Sequence, residues 1–197
     1  MSRVVLPEKT RLTLLGILLA GFLLRVWGIS FGLPHQFHQD EPIVVNHALA
    51  YGTGDLNPGF FAIPPLTSYI LFSLYGLMFL IGKVMGAWQG TQDFAVSFFR
   101  DPTIFYLVGR FFIGVLPGTA SIFLTYKLAE RSLTKNAALF AAAVMSFSFL
   151  NVVNSHYIYT DMLLTALILL TYERLFFLFK APNLKNYCLS GLFIGLC

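Results

Sequence analysis

Long apolar stretches alternate with short polar intervals along this chain. Crossing a bilayer takes about 20 apolar residues in a helix. The stretches are too long for the strands of a membrane barrel, and a helix satisfies its own backbone hydrogen bonds in lipid. The pattern therefore predicts an all-α protein, a polytopic bundle of membrane helices. The apolar windows cover residues 12–33, 65–82, 103–126, 137–155 and 162–179, and another begins near Tyr187.

The composition also indicates a membrane protein. Of the 197 residues, 57% are hydrophobic and 11% are charged, whereas soluble domains carry about 25% charged residues. The net charge of +4 is small and spread along the chain, so we expect no nucleic-acid partner, which would require a basic face. Cys188 and Cys197 fall in the last apolar stretch, without the spacing of a metal site or a disulfide framework.

The two ends of the chain lead to two further predictions. A basic start precedes window 12–33, but no small-x-small site closes that window, so it predicts a membrane helix rather than a cleaved signal peptide. The other end stops inside an apolar run, CLSGLFIGLC. We therefore expect the chain to be one part of a longer polytopic protein.

Lysine and arginine cluster on the cytoplasmic side of membrane proteins, and their positions predict the topology. If window 12–33 leads outward and residues 127–135 lie inside again, an odd number of crossings must separate them. Two apolar windows lie in between, so one of them does not cross. The three predicted inner clusters are Arg3, Lys9 and Arg11; Lys127, Arg131 and Lys135; and Arg174, Lys180 and Lys185.

Window 65–82 is the one that we expect not to cross. It is short, it opens with two prolines, and it places Tyr69, Ser73 and Gly76 on one helical face. We predict that it lies in the plane of the outer leaflet. Residues 34–102 then form an outer loop with short in-plane helices, and window 103–126 makes the crossing.

The outer loop contains the stretch FHQDEPIV, in which Asp40 and Glu41 are adjacent. A helix is expected to start at Pro42 and to end near Gly52, followed by turns in TGDLNPG. Helix capping is the simplest explanation of the two acids. A third acid, Asp161, opens window 162–179 on the same side of the membrane.

Three arginines on the outer half, Arg25, Arg100 and Arg110, oppose the positive-inside bias. Ionisable groups at membrane depth are costly, so each is a functional hypothesis by default. Arg25 lies about eight residues, or about 12 Å, from the expected end of its helix, within reach of snorkelling. Arg110 precedes an apolar run and suits either a lipid-headgroup anchor or a phosphate ligand, because its fork matches phosphate oxygens.

The histidines near the acids are expected to hydrogen-bond the carboxylates rather than to bind a metal. His38 and His156 are placed to hydrogen-bond the carboxylates. His35, His38 and Asp40 have the spacing HxxHxD, but no second cluster of metal-binding residue types accompanies them. We therefore predict neither a metal nor another cofactor. On the inner side, Glu173 and Arg174 are expected to form a structural pair.

Several motifs together resemble a known family. They are QDEPIVVNHALAYGTGDLNPGFFAIPPLTSYILF, KLAERSLTKNAALFAAAV and SHYIYTDMLLTALILL. Their order and their relation to the membrane windows resemble the N-terminal part of GT-C glycosyltransferases of the protein O-mannosyltransferase and aminoarabinose-transferase type. The similarity extends over residues from about 10 to 180.

The resemblance implies an activity and a site. It implies that residues 1–197 form the N-terminal catalytic membrane module of a longer glycosyltransferase, in a bacterial cytoplasmic membrane with the active site facing outward. The donor would be a sugar on a polyprenyl phosphate, and the acceptor a hydroxyl of a lipid, protein or glycan. Asp40 and Glu41 take the place of the family's acidic motif, and Asp161 that of its later aspartate.

The chemistry of these residues fits such a transfer. Asp40 beside a low-dielectric surface suits a general base, and Asp161 suits orienting the acceptor or stabilising positive charge at the anomeric carbon. Arg110 or Arg25 would bind the donor phosphate. The main alternative is a transporter or flippase, and another is a non-catalytic assembly subunit. Pathway residues of a transporter should lie near mid-bilayer, whereas these groups gather at one surface.

Overall fold

The structure is a computed structural model that describes residues 7–35 and 37–197, and the described chain is helical without strands. Arg3 of the first basic cluster lies outside the described residues. The helices in chain order are α1 (Glu8–Val26), α2 (Glu41–Ala50), α3 (Leu66–Val84), α4 (Thr91–Arg100), α5 (Thr103–Gly109), α6 (Leu116–Ser132), α7 (Lys135–Phe147), α8 (Phe149–Asn154), α9 (Thr160–Lys180) and α10 (Leu184–Leu196).

Within the described residues, three helices are long and apolar enough to cross a membrane. They are α3, α9 and the continuous helix Thr103–Ser132, which joins α5 to α6 through a π-helical segment, Arg110–Val115. The shorter α7 is also apolar. The prediction of an all-helical membrane bundle is thereby confirmed.

The first helix is shorter than predicted. It ends at Val26 instead of Leu33, because Gly28 and Gly32 adopt left-handed backbone angles, each with φ of 79°. The backbone N–H groups of Ile29, Phe31 and Leu33 each donate to the carbonyl three residues earlier, so the segment forms successive turns. Hydropathy cannot detect this change, since the turn residues are as apolar as the helix.

The bounds of the other helices differ less from the predicted ones. The window 137–155 is divided at Ser148 into α7 and α8. Helix α2 begins one residue before Pro42, and a 3₁₀ turn, Tyr51–Thr53, follows it. The predicted turns in TGDLNPG are confirmed, because the backbone N–H of Asn57 donates to Asp55 Oδ1 at 2.9 Å and that of Gly59 to Asn57 Oδ1 at 3.1 Å.

Helix α6 is the centre of the bundle. It packs against α1, α7 and α9, and α10 packs against α9. One core lies among α1, α6 and α7 and contains Leu14, Ile122, Tyr126, Ala138 and Ala142. The second core lies among α2, α3, α5 and the segment before α9, and it includes Val45, Leu71, Phe105 and Ile158. By the predicted orientation, this second core marks the outer end of the bundle.

Helix α3 packs against several elements of the second core. Its first turn lies near the start of α9. Further along, the Tyr75 hydroxyl donates to the Phe105 carbonyl at 3.2 Å, and Phe79 packs against Phe94 of α4 with ring centroids 5.4 Å apart. These contacts suit an in-plane helix, while the length of α3 also suits a crossing. Its orientation in the bilayer stays a prediction.

The inner end contains an ion pair that differs from the predicted one. Glu173 does not pair with Arg174; it accepts from Arg131 Nε at 2.7 Å and also from Arg131 Nη2. Successive residues of a helix point in different directions, so the neighbour in sequence is the wrong partner and the guanidinium on α6 is the right one. Arg174 instead lies over the rings of Phe177 and Phe193.

Candidate active site

A buried ion pair between Glu41 and Arg110 organises the outer end. Pro42 follows Glu41 in the first turn of α2, and its fixed φ favours a helix start there. Arg110 Nε donates to Glu41 Oε1 at 2.9 Å, and Arg110 Nη2 donates to Oε2 at 2.7 Å. The two side chains are 0% and 1% exposed. Such a two-pronged contact is the strong form of a carboxylate–guanidinium pair.

Arg110 has further partners in the turns after α1. Its Nη1 donates to the carbonyl oxygens of Ile29 and Phe31, both at 2.8 Å, and its guanidinium lies 5.8 Å from the ring centroid of Tyr157. Arg110 is therefore buried inside the protein, where its contacts do not suit a lipid-headgroup anchor, while its depth in the membrane stays a prediction. Four of the five N–H donors of a guanidinium are occupied within the protein.

Glu41 also holds the segment that leads into α9. Its Oε1 accepts from the backbone N–H of Ile158 at 2.9 Å. The same segment lies against glycines of the long helix: a Cβ on Gly114 would overlap the Ser155 carbonyl oxygen, and one on Gly109 would overlap the Ile158 side chain. Close backbone approach and one carboxylate together fix this loop.

Asp40 and Asp161 remain accessible at the same end. Asp40 is half-buried and stands at the N-cap position of α2, but its side chain makes no capping hydrogen bond, so capping does not explain it. Asp161 is exposed in the first turn of α9 and accepts from Asn154 Nδ2 at 2.9 Å. The sequence gives no signal for Asn154, whose relation to Asp161 depends on the turn between α8 and α9.

The two histidines do not contact the carboxylates as predicted. His38 Nδ1 accepts from the backbone N–H of Asp40 at 3.3 Å, and its ring lies 4.4 Å from that of Tyr157. The ring nitrogens of His156 lie 2.8 Å from the carbonyl oxygens of Val152 and Trp27. His38 thus supports the backbone of Asp40, while His156 connects α8 to the end of α1.

Arg25 is placed apart from the acids. It lies in the last turn of α1 and is fully buried, so it does not snorkel to the surface, which was the alternative to a role at the donor phosphate. Its Nη1 donates to the carbonyls of Gly21 at 2.7 Å and Ser146 at 3.1 Å, and its Nη2 donates to Met145 O at 3.3 Å and to Asn151 Oδ1. These bonds satisfy carbonyls at the end of α7, which the break at Ser148 would otherwise leave unpaired.

An apolar groove of about 490 Å³ lies beside α2, between α3 and α4. Leu49, Phe72, Gly76 and Phe98 are among its lining residues. The part of α2 that lines it begins at Asn46, which is five residues, or about 8 Å, along the helix from Glu41. Nothing in the sequence pattern predicts this groove, because it depends on how the helices of the outer loop are arranged.

Part of the chain matches a known protein family. Residues 104–197 match the family model described as dolichyl-phosphate-mannose-protein mannosyltransferase. This part of the chain is similar to that family. The match covers 94 of the 197 residues and supports a membrane glycosyltransferase of the GT-C type in general. It includes Arg110 and Asp161, whereas Asp40 and Glu41 lie before it. No curated protein and no solved structure matches the chain.

Proposed function

We propose that this chain is the catalytic membrane module of a GT-C glycosyltransferase. It transfers a sugar from a polyprenyl-phosphate donor to an acceptor hydroxyl at the outer face of the membrane. The observation that carries the proposal is the arrangement of the three acids. One acid, Glu41, is buried in an ion pair that contacts the segments of the other two, and Asp40 and Asp161 are left accessible. The family match of residues 104–197 supports the same class.

Asp40 is the general base in this proposal. The acceptor oxygen forms a bond to the anomeric carbon while the bond from that carbon to the phosphate oxygen breaks, and the hydroxyl proton passes to the Asp40 carboxylate. The other product is the polyprenyl phosphate, a good leaving group that needs no proton. Asp40 suits this role because its side chain is half-buried and is not used for helix capping.

Asp161 is the second acid of the proposed site. Its carboxylate is exposed, and the Asn154 amide holds one of its oxygens. A fixed carboxylate can orient the acceptor hydroxyl, and it also stabilises positive charge that develops at the anomeric carbon. Substituting Asp161 should therefore reduce turnover without removing the base.

In this proposal the donor phosphate binds a cation other than Arg110 or Arg25, because both guanidinium groups are buried and donate to groups inside the protein. Arg100, at the exposed end of α4, follows Phe99, which lines the apolar groove. We place the polyprenyl chain of the donor in this groove and its phosphate near Arg100. The apolar lining suits a hydrocarbon chain, and the groove runs beside the helix that starts at Glu41.

The decisive experiment measures release of free polyprenyl phosphate from a radiolabelled lipid-linked sugar by the full chain in liposomes. We expect release with the natural protein and its loss in Asp40→Asn, which should insert normally. Asp55→Asn is the matched control, because this acid lies in an exposed turn of the same loop. Full release by Asp40→Asn would reject the base. Movement of the intact lipid across the bilayer without release would instead favour a flippase.

A separate experiment tests whether the polyprenyl chain binds in the groove. A Cβ on Gly76 meets open space, so Gly76→Leu should fill the groove without disturbing the fold. We expect a higher KM for a long-chain donor and little change for a short-chain one. Gly16→Leu is the control, since Gly16 of α1 also faces open space and lies away from the groove. An unchanged KM for the long-chain donor would show that the chain binds elsewhere.

A further inference from the structure

Two adjacent acids of the same chemical type have different surroundings. The Glu41 carboxylate is fully buried and accepts three hydrogen bonds, two from Arg110 and one from the Ile158 backbone. The Asp40 carboxylate, one residue earlier, is half-buried and makes no capping bond. A group whose acceptor sites are occupied inside the protein is poorly placed to take a proton from a substrate.

The pair of Glu41 and Arg110 connects three chain segments: the turns after α1, the start of α2 and the loop before α9. Arg110 holds the turns after α1 through the carbonyls of Ile29 and Phe31. Glu41 begins α2, directly after Asp40. Ile158 lies in the loop before α9, three residues ahead of Asp161. A single carboxylate therefore contacts both segments that carry the accessible acids.

We infer that Glu41 is a positioning residue that fixes Asp40 relative to Asp161 through Arg110 and the Ile158 N–H, and that it takes no part in proton transfer. This inference rests on the proposed function for its catalytic consequence. The structural link itself does not depend on that function. Because a displacement of about 1 Å at a reacting group can lower the rate by about 10²-fold, loss of the link should reduce kcat strongly and leave donor binding nearly unchanged.

The test must separate positioning from stability. Glu41→Gln removes one charge of a buried pair, and Glu41→Gln/Arg110→Met removes both, which avoids an uncompensated buried charge. We expect the double variant to have a higher Tm than Arg110→Met, although below that of the natural protein because the carbonyls of Ile29 and Phe31 lose their donors. Its kcat should stay about 10²-fold lower and its donor KM within threefold. Recovery of kcat together with Tm would show that the pair only stabilises the fold.

The pH profile separates the two acids. In Glu41→Gln the residual activity should keep the acidic limb of the natural protein, because Asp40 is still the base; loss of that limb would make Glu41 the base and overturn the inference. Gly114→Ala is a second variant, since it displaces the loop at Ser155 and leaves the charged pair intact. It should lower kcat without raising donor KM, and an unchanged kcat would contradict the role of the loop.

A distance measurement tests the link without any activity. Spin labels on cysteines at exposed positions 39 and 161, with Cys188 and Cys197 replaced by Ser, report the separation of the two segments. The distance distribution should be narrow with Glu41 present and clearly broader in the double variant. An unchanged distribution would overturn the inference. Absence of polyprenyl phosphate release by the natural protein would count against the proposed function alone.

Discussion

The two ends of the long helix each carry an arginine–glutamate pair, and the pairs differ in their surroundings. Arg110 and Arg131 are separated by 21 residues, or about 31 Å of helix. The outer pair, Arg110 with Glu41, has exposures of 1% and 0%, whereas the inner pair, Arg131 with Glu173, has exposures of 15% and 11%. The same two-pronged contact is thus made once fully buried and once partly exposed.

Their remaining partners also differ. The outer pair bonds backbone groups of Ile29, Phe31 and Ile158, which belong to connecting segments. The inner Arg131 lies over the ring of Phe177, 4.7 Å from its centroid, and connects helix α6 to helix α9. The outer pair therefore determines where loops lie, while the inner pair joins two helices that already pack together.

This difference shows what a buried ion pair contributes. Taking both charges out of water costs nearly as much as their attraction returns, so the intact pair is weak evidence for stability. Breaking the pair is costly, however, because one charge is left without a partner. The outer pair should consequently be the more sensitive of the two to single substitutions, and the larger effect should appear in the positions of the loops.

The largest effect that we predict is the loss of one outer partner. Arg110→Met leaves the Glu41 carboxylate buried without a counter-charge, and it should lower the free energy of unfolding by about 3–5 kcal/mol. Arg131→Met is the matched substitution at the inner end and should cost less, about 1 kcal/mol, because that pair is partly exposed. Denaturant titration of both proteins in detergent measures the difference. Equal losses of unfolding free energy in the two variants would show that the two ion pairs do not differ in their sensitivity to substitution.

The sequence predicts the class of the fold and the presence of unusual charges, but it does not predict their partners. Long apolar runs and basic clusters are local properties, so the helices appear in the right order. The contact between Glu41 and Arg110 spans 69 residues, and that between Glu41 and Ile158 spans 117. A single sequence holds no signal for such contacts. Arg110 was therefore expected to bind a phosphate, while its acceptors lie inside the chain.

The ends of the helices are a second feature that the sequence does not predict. Gly28 and Gly32 turn the chain inside an apolar window, which moves Arg25 from the interior of a predicted helix to its last turn. The roles of Asp40 and Glu41 are a third feature that the sequence does not predict. The two adjacent acids have similar chemistry, and only packing makes one buried and the other accessible. The order of α2, the following turns and α3 was predictable, whereas α4 and the division of roles between these two acids were not.

Arg25 provides an intermediate case for the comparison. Its guanidinium is as buried as that of Arg110, but the acceptors that it contacts are carbonyl and amide oxygens. Arg25→Met should cost about 2 kcal/mol, because the carbonyls at the end of α7 and the Asn151 amide lose their donors while no acid is left unpaired. Arg11→Met on the exposed face of α1 is the control. A loss as large as that of Arg110→Met would mean that burial alone, rather than pairing, sets the cost.

A smaller effect should appear when one inner charge is removed and the hydrogen-bonding shape is kept. Glu173→Gln should lower the free energy of unfolding by at most about 1 kcal/mol, and added salt should shrink the difference, since partly exposed pairs are screened. Glu41→Gln at the outer end should cost more and respond little to salt. Denaturant titrations at two ionic strengths test this. Equal salt dependence at the two ends would indicate that water also reaches the outer pair.

The smallest effect concerns an exposed acid at the outer end. Asp101 lies between α4 and α5, and its Oδ1 accepts from the Thr103 N–H at 3.0 Å; hydrogen bonds from Thr103 lower the pKa of Asp101 below its ordinary value of 3.8. Because the folded protein holds the proton less tightly than the unfolded one, the stabilisation is complete above that value and is lost as the pH falls through the lowered pKa.

Asp101→Asn keeps an acceptor oxygen, so it should remove this pH dependence and change the Tm little at neutral pH. Thermal unfolding at pH 7 and below pH 4 measures both effects, with Asp93→Asn as the control. A large loss of Tm at pH 7 would show that the charge of Asp101, and not only its hydrogen bond, supports the outer end.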